Sequence, residues 1–103
     1  MDPTLVALLR ALVIAADEHL DATHLLHEQV VLVRLDGTQV HGRAAVLDAV
    51  MSRGDPRRMA VVRELHDGVE VSLTVEGLDG RFVFVMRGRC EASALREVTM
   101  EVS

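Results

Sequence analysis

An Asp-Gly pair between two extended apolar runs is the feature that most constrains the fold of this chain. A β-branched run covers Val30 to Leu35, Asp36-Gly37 follow, and a shorter extended run covers Thr38 to His41. This arrangement predicts a β-hairpin, because glycine adopts the positive φ that a tight turn requires. A Gly-Arg step then leads into apolar residues at helical spacing, which predict a helix from Arg43 to about Arg53.

Apolar residues also recur at helical spacing over residues 5–20. Asp2-Pro3 is a favourable helix start, because a carboxylate caps the first turn and proline suits the first helical position. The polar residues 17–19 interrupt the apolar stripe and predict a bend. A second, short helix is predicted from about Asp21 to His27.

The chain after Pro56 is predicted to be extended. Strands are expected over residues 59–65, 69–75, 82–89 and 95–102, with short turns between them. Connections this short force antiparallel pairing, since parallel strands need long crossovers. The second and fourth of these strands alternate apolar and polar residues, so each has one buried and one wet face. The run Phe82 to Met86 does not alternate and predicts a central strand that is buried on both sides.

The composition excludes several classes of function. Half of the residues are hydrophobic, so residues 1–103 are expected to fold as a single domain with one core. The formal net charge of −5 and the lack of a dense basic run argue against nucleic acid as a partner. No apolar segment is long enough to span a membrane. The single cysteine, Cys90, cannot form an internal disulfide, which suits a cytoplasmic location.

The segment from Glu28 to Asp55 carries a family resemblance. A helix followed by an Asp-Gly hairpin, Gly-Arg-Ala-Ala-Val and another helix resembles the SnoaL-like branch of the nuclear transport factor 2-like superfamily. The resemblance implies an α+β cone, in which the helices pack in the concave face of one curved antiparallel sheet. It also implies a cofactor-independent enzyme of the cyclase or isomerase type, acting on a small hydrophobic metabolite in an apolar pocket.

The positions that match the catalytic residues of ketosteroid isomerase relatives are aliphatic in this chain. A rough alignment places the tyrosine donor of those relatives near Leu9, their base aspartate near Val33 and their second acid near Val85. Steroid isomerisation by that set of groups is therefore disfavoured. A second interpretation stays open: a non-catalytic module for ligand binding or dimerisation, whose cone is filled by its own side chains.

Strand alternation supplies the candidate site. If Val33 and Val85 face the pocket, alternation places Arg87 on the same wall. There Arg87 would hold a carboxylate, an enolate oxygen or a developing oxyanion; the alternative is an arginine that reaches solvent over its own stem. His27 and His66 are the candidates for moving a proton. The predicted apolar wall of the pocket comprises Leu9, Val31, Val33, Val85, Val98 and Met100.

No metal or other cofactor is expected. His24 and His27 lie three residues apart beside Glu28 and imitate part of a metal site. Zinc needs three or four convergent ligands, however, and the sequence supplies no further cluster. Polar histidines near the end of a helix are the simpler interpretation.

A homodimer is expected through the convex face of the sheet. If Val83 and Val85 face the helices, the alternate residues Phe82, Phe84 and Met86 face outward. A small monomer seldom leaves two phenylalanines and a methionine in water on one face. Two-fold pairing of that face is the simplest way to cover them.

Overall fold

The computed structural model of the chain describes residues 3–51 and 57–102. Neither α-helix in these ranges is long and apolar enough to cross a membrane. The predicted end of the second long helix, at Arg53, lies outside the described residues. In chain order the elements are α1 (Pro3–Glu18), a 3-10 helix (Thr23–Leu25), β1 (Leu26–Val33), β2 (Gln39–His41), α2 (Arg43–Met51), β3 (Arg57–Glu64), β4 (Gly68–Val75), β5 (Phe82–Glu91) and β6 (Ala94–Val102).

The six strands form one curved, unclosed sheet in the order β2-β1-β6-β5-β4-β3. Helix α1 packs against β3 to β6, and α2 packs against β1 and β2. We call the sheet face that contacts the helices the inner face, and the opposite face the outer face. The predicted α+β architecture, with helices in the concavity of a curved sheet, is confirmed.

One pair of strands departs from the predicted antiparallel sheet. β1 and β6 are parallel, with Leu32 beside Val98 and Val33 beside Thr99. The other four strand pairs are antiparallel, as predicted. The prediction rested on short turns, which fix the direction of consecutive strands. β1 and β6 are separated by most of the chain, so no turn determines their relative direction.

The Asp-Gly hairpin is present where the sequence predicted it. Gly37 has φ +88°, which a residue with a side chain seldom adopts. The N–H of Arg34 donates to the carbonyl of Thr38 at 2.8 Å, and the N–H of Gly37 donates to the carbonyl of Arg34 at 2.9 Å. The turn therefore fixes the backbone on both sides of Asp36.

The predicted short helix over residues 21–27 is wrong. Only a single 3-10 turn forms, in which the N–H of Leu25 donates to the carbonyl of Ala22 at 3.0 Å. The Oδ1 atom of Asp21 accepts both the N–H and the hydroxyl of Thr23, which tightens the turn. Leu26 already belongs to β1 and lies beside Leu95 of β6, so sheet pairing replaces a second turn of helix.

The inward and outward sides of β5 are the reverse of the prediction. Phe84 and Met86 are buried in the core on the inner face, whereas Val85 is buried on the outer face. The predicted burial on both sides holds at residues 84–86 but not at Phe82, which is 42% exposed; where both faces are buried, the apolar pattern gave no direction. The larger side chains, Phe84 and Met86, occupy the inner face, where they contact the apolar core between the sheet and the helices.

The outer face carries ion pairs and valines where the dimer prediction required aromatic side chains and a methionine. Phe84 and Met86 point inward, so the argument for a homodimer through these side chains loses its basis. Ion pairs lie across neighbouring strands of the outer face instead, including Arg63–Glu70, Arg87–Glu101 and Arg89–Glu97. The homodimer itself stays a prediction, which sedimentation velocity at micromolar concentration would test.

Candidate functional site

A cavity of about 400 Å³ lies between the inner face of the sheet and the two α-helices. Of the described residues, twelve with apolar side chains and two with charged ones line it. The apolar ones come from both helices, five strands and the hairpin turn, which together surround it. They are Leu12, Val13, Ala16, Leu32, Leu35, Ala49, Val50, Met59, Leu73, Phe84, Met86 and Met100.

The hairpin between β1 and β2 forms the mouth of the cavity. Arg34, Leu35 and Asp36 line the cavity and are exposed to solvent. Deeper lining residues such as Leu32 and Phe84 are buried. Leu32 and Arg34 are two residues apart, and this spacing keeps the side chains of an extended chain on the same side. The charged groups of the lining therefore stand at its entrance, and the interior is apolar.

Asp36 is held as a carboxylate ion by Thr38. Its Oδ1 atom accepts the hydroxyl of Thr38 at 2.7 Å and the backbone N–H of Thr38 at 3.0 Å. These two hydrogen bonds, the hydroxyl first, lower the pKa of Asp36 below its ordinary value of 3.8. A general base works best when its pKa is near the working pH, so Asp36 is poorly suited to take a proton at neutral pH.

Arg34 has no ion-pair partner among the described residues. The other described arginine side chains, except Arg81, each form at least one ion pair with an acidic residue. The chain has 16 acidic and 11 basic residues, so partners for arginine are plentiful. Besides the hydrogen bonds from Thr38, the charge of Arg34 contributes to the lowered pKa of Asp36, but Arg34 forms no ion pair with that carboxylate. Its guanidinium can therefore still pair with a molecule that enters the mouth.

Comparison with solved structures identifies the architecture around this cavity. A ketosteroid isomerase-like protein from Kribbella flavida is similar with a TM-score of 0.78 and 24% identity, over 93% of this chain and 78% of that one. An LEH-like epoxide hydrolase of Mycobacterium tuberculosis has a TM-score of 0.76 and 12% identity, over 97% of this chain and 79% of that one. A polyketide cyclase-like protein from Pseudomonas putida has a TM-score of 0.70 and 16% identity, over 99% and 93%.

This chain has the nuclear transport factor 2-like fold. At identities below 25%, the structural similarity establishes the fold only. The activity of this chain has to be argued from its own site. No protein-family model matches the sequence, and no curated protein is significantly similar to it.

Arg87 lies outside the cavity of the nuclear transport factor 2-like cone. Its guanidinium forms ion pairs with Asp67 and with Glu101, the latter at 3.2 Å, on the outer face. The prediction that Arg87 stands on the pocket wall is wrong, because it assigned Val85 to the inner face. The side chains of Val85 and Arg87 do lie on the same face of β5, as alternation requires, but that face is the outer one.

The two candidate histidines lie elsewhere in the cone and do not approach the cavity lining. His27 is at the start of β1, where its Nδ1 atom accepts the N–H of Gln29 and its Nε2 atom lies 4.0 Å from Glu91. His66 is exposed in the turn between β3 and β4, where it borders a second, separate pocket of about 650 Å³ beside α1. The structure thus does not bring Arg87, His27 and His66 together around one reacting position.

The predicted apolar wall is correct for some residues and wrong for others. Met100 lines the cavity, and Leu9 and Val98 are fully buried in the core without being part of the lining. Val31 and Val33 are on the outer face because Leu32 faces inward, and Val85 is there because Phe84 and Met86 face inward. An error of a single residue in β1 displaced Val31 and Val33, and the same error in β5 displaced Val85 and the charged group, Arg87.

The charged mouth was missed for the same reason. Once Leu32 is placed inward, alternation carries Arg34 to the inner side and brings it to the rim of the cavity. The signal was present in the sequence as an arginine two residues beyond an inward leucine, directly before the Asp-Gly turn. Among the described residues, no group of three or more histidine, cysteine, aspartate or glutamate side chains is arranged to hold a metal ion.

Proposed function

We propose that this nuclear transport factor 2-like chain binds a small hydrophobic molecule in its cone. The observation that carries the proposal is the cavity of about 400 Å³ with twelve apolar lining residues. Small-molecule sites are typically about 300–1,000 Å³, mostly apolar, with a few placed polar groups. The volume also argues against a cone filled by its own side chains. A cytoplasmic location is part of this proposal, supported by a single cysteine that cannot form an internal disulfide.

Binding without chemistry is the function that the lining supports best. In the described lining, Arg34 and Asp36 are the only titratable side chains. Acid–base catalysis on an apolar substrate needs a group whose pKa is tuned by burial among apolar side chains. Asp36 is exposed, and its pKa is lowered rather than raised. A cyclase or isomerase of the kind named for some structural neighbours therefore lacks its proton-transfer group in this lining.

Titration with a neutral hydrophobic fluorophore, 1-N-phenylnaphthylamine, tests the proposal. The fluorescence of 1-N-phenylnaphthylamine is expected to increase when the wild-type chain is added and to saturate as one site is filled. Ala49 lines the cavity from α2, so Ala49→Leu should fill part of the space and weaken binding about tenfold or more. Circular dichroism and the urea midpoint would verify that the variant folds.

Ala45 supplies the matched control. It lies one helical turn before Ala49 on α2 and is exposed. Ala45→Leu makes the same chemical change outside the cavity and should bind the fluorophore as the wild type does. Equal binding by the Ala49→Leu and wild-type chains, or no saturable binding by the wild type, would overturn the proposal.

A further inference from the structure

We propose that the molecule bound in the cone is a hydrophobic carboxylic acid, whose carboxylate pairs with Arg34 at the mouth. This inference rests on the proposed function and names the chemical class of its ligand. It draws on three observations: an apolar interior, an arginine at the entrance that forms no ion pair with a described residue, and an aspartate beside it whose oxygen is already engaged. Each of these observations restricts the position of a charged group on the ligand.

The interior of the cavity excludes a charged group. None of the described residues that are buried is polar or charged, and the deep lining consists of side chains such as Leu32, Phe84 and Met86. Moving an ionised carboxylate into such surroundings without a partner costs many kcal/mol. A ligand with a charge must therefore direct its apolar body inward and leave the charged end at the mouth.

Among the described lining residues, the mouth offers one cation to that end. Arg34 borders the cavity, is exposed, and forms no ion pair with a described residue. A guanidinium presents its N–H donors in a planar fork that matches the two oxygens of a carboxylate. It keeps its positive charge at any physiological pH. The shape and charge of this group favour a carboxylate over a neutral hydroxyl or amide.

The backbone of Arg34 is already fixed before a ligand arrives. Its N–H and its carbonyl are both hydrogen-bonded within the hairpin, to Thr38 at 2.8 Å and to Gly37 at 2.9 Å. A group that starts from a fixed backbone loses less conformational freedom when it binds. Arg34 is therefore placed at the rim by the turn itself and needs no rearrangement of the chain.

The negative charge of Asp36 repels the carboxylate of the ligand. The hydrogen bonds of Asp36 allow this repulsion to be tested by a single substitution. Both hydrogen bonds from Thr38 end on the same atom, Oδ1 of Asp36. Asparagine carries an oxygen at that position, so Asp36→Asn can keep both hydrogen bonds while it removes the negative charge. The variant should retain the turn and attract a carboxylate more strongly. Neutral substitutions of Arg34 and of Asp36 are thus expected to change the affinity for a carboxylate in opposite directions.

Competition against the neutral fluorophore distinguishes the acid from its neutral counterpart. Sodium octanoate and 1-octanol have the same chain length and differ in the charged end. In Arg34→Gln, octanoate should bind about fivefold more weakly, the upper range for an exposed ion pair, and 1-octanol should bind unchanged. In Asp36→Asn, octanoate should bind about twofold to fivefold more tightly. Salt at 1 M should reduce the effect of both substitutions.

Arg81 is the matched control, because it is exposed, forms no ion pair with a described residue and is not part of the lining. Arg81→Gln should leave both affinities unchanged. If the fluorophore and 1-octanol bind but Arg34→Gln does not selectively weaken octanoate, the ligand class is wrong and the binding function stands. If neither ligand nor the fluorophore binds the wild type, the binding function fails as well.

Discussion

The carboxylate of Asp17 joins the end of α1 to the edge strand β3. Its Oδ1 atom accepts the backbone N–H of Met59 at 2.8 Å. Its two oxygens also accept Nε and Nη2 of Arg58 at 3.0 and 3.1 Å. The side chain of Asp17 is 12% exposed and that of Arg58 is 79% exposed. Because β3 has a neighbouring strand on one side only, we expect these bonds to secure the edge of the sheet.

Asp17→Ala is expected to lower the free energy of unfolding by about 1.5 kcal/mol. A hydrogen bond to a charged group contributes roughly 1.5–3 kcal/mol, and the substitution leaves the N–H of Met59 without this acceptor. Alanine regains roughly 0.5–1 kcal/mol, since an acidic residue in the last turn opposes the helix dipole and has the lower helix propensity. The contribution of the exposed Arg58 is small, because solvent screens its charge. The melting temperature should fall by about 6–12 °C.

Urea unfolding at pH 7, followed by circular dichroism, measures this effect. Asp17→Asn keeps an oxygen for the N–H of Met59 and should lose about half as much stability as Asp17→Ala. Asp48 is exposed on α2, so Asp48→Ala makes the same change without this contact and should stay within about 0.5 kcal/mol of the wild type. An Asp17→Ala variant as stable as Asp48→Ala would refute the assigned role.

Positive φ angles and one hydrogen-bonded carboxylate give further tests. His19 follows α1 with φ +59°, and Ser93 lies in the β5–β6 turn with φ +65°; glycine at either position should raise stability by about 0.5–1 kcal/mol in thermal unfolding. Unchanged or lower midpoints would contradict the assigned strain. The lowered pKa of Asp36 means that its carboxylate stabilises the fold above the unfolded pKa, near 3.8, and that this stability disappears as the pH falls through the folded pKa. Asp36→Asn should therefore be less stable than the wild type at pH 7 and equal to it at low pH; a constant difference between pH 2 and 7 would contradict this.

Local sequence patterns correctly predicted the structural elements whose hydrogen-bonding partners are close in sequence. The Asp36-Gly37 turn formed as expected, since its geometry depends on one glycine and on hydrogen bonds within a few residues. The alternation in β4 placed Val69 and Val71 in the core, because the polar residues between them marked the other face. The same logic failed for β5, where both faces are buried and neighbouring residues are equally apolar.

The sequence by itself determined the two α-helices, the hairpins and the α+β class, because spacing, turn residues and alternation act over short distances. Only the tertiary structure decided that β1 runs parallel to β6 and that Leu32, Phe84 and Met86 face the helices. These choices depend on which side chains fill the volume under α1 and α2, and no local pattern contains that information. The site followed from them, since the inward direction of Leu32 placed Arg34 at the mouth, and the inward direction of Met86 left Arg87 on the outer face.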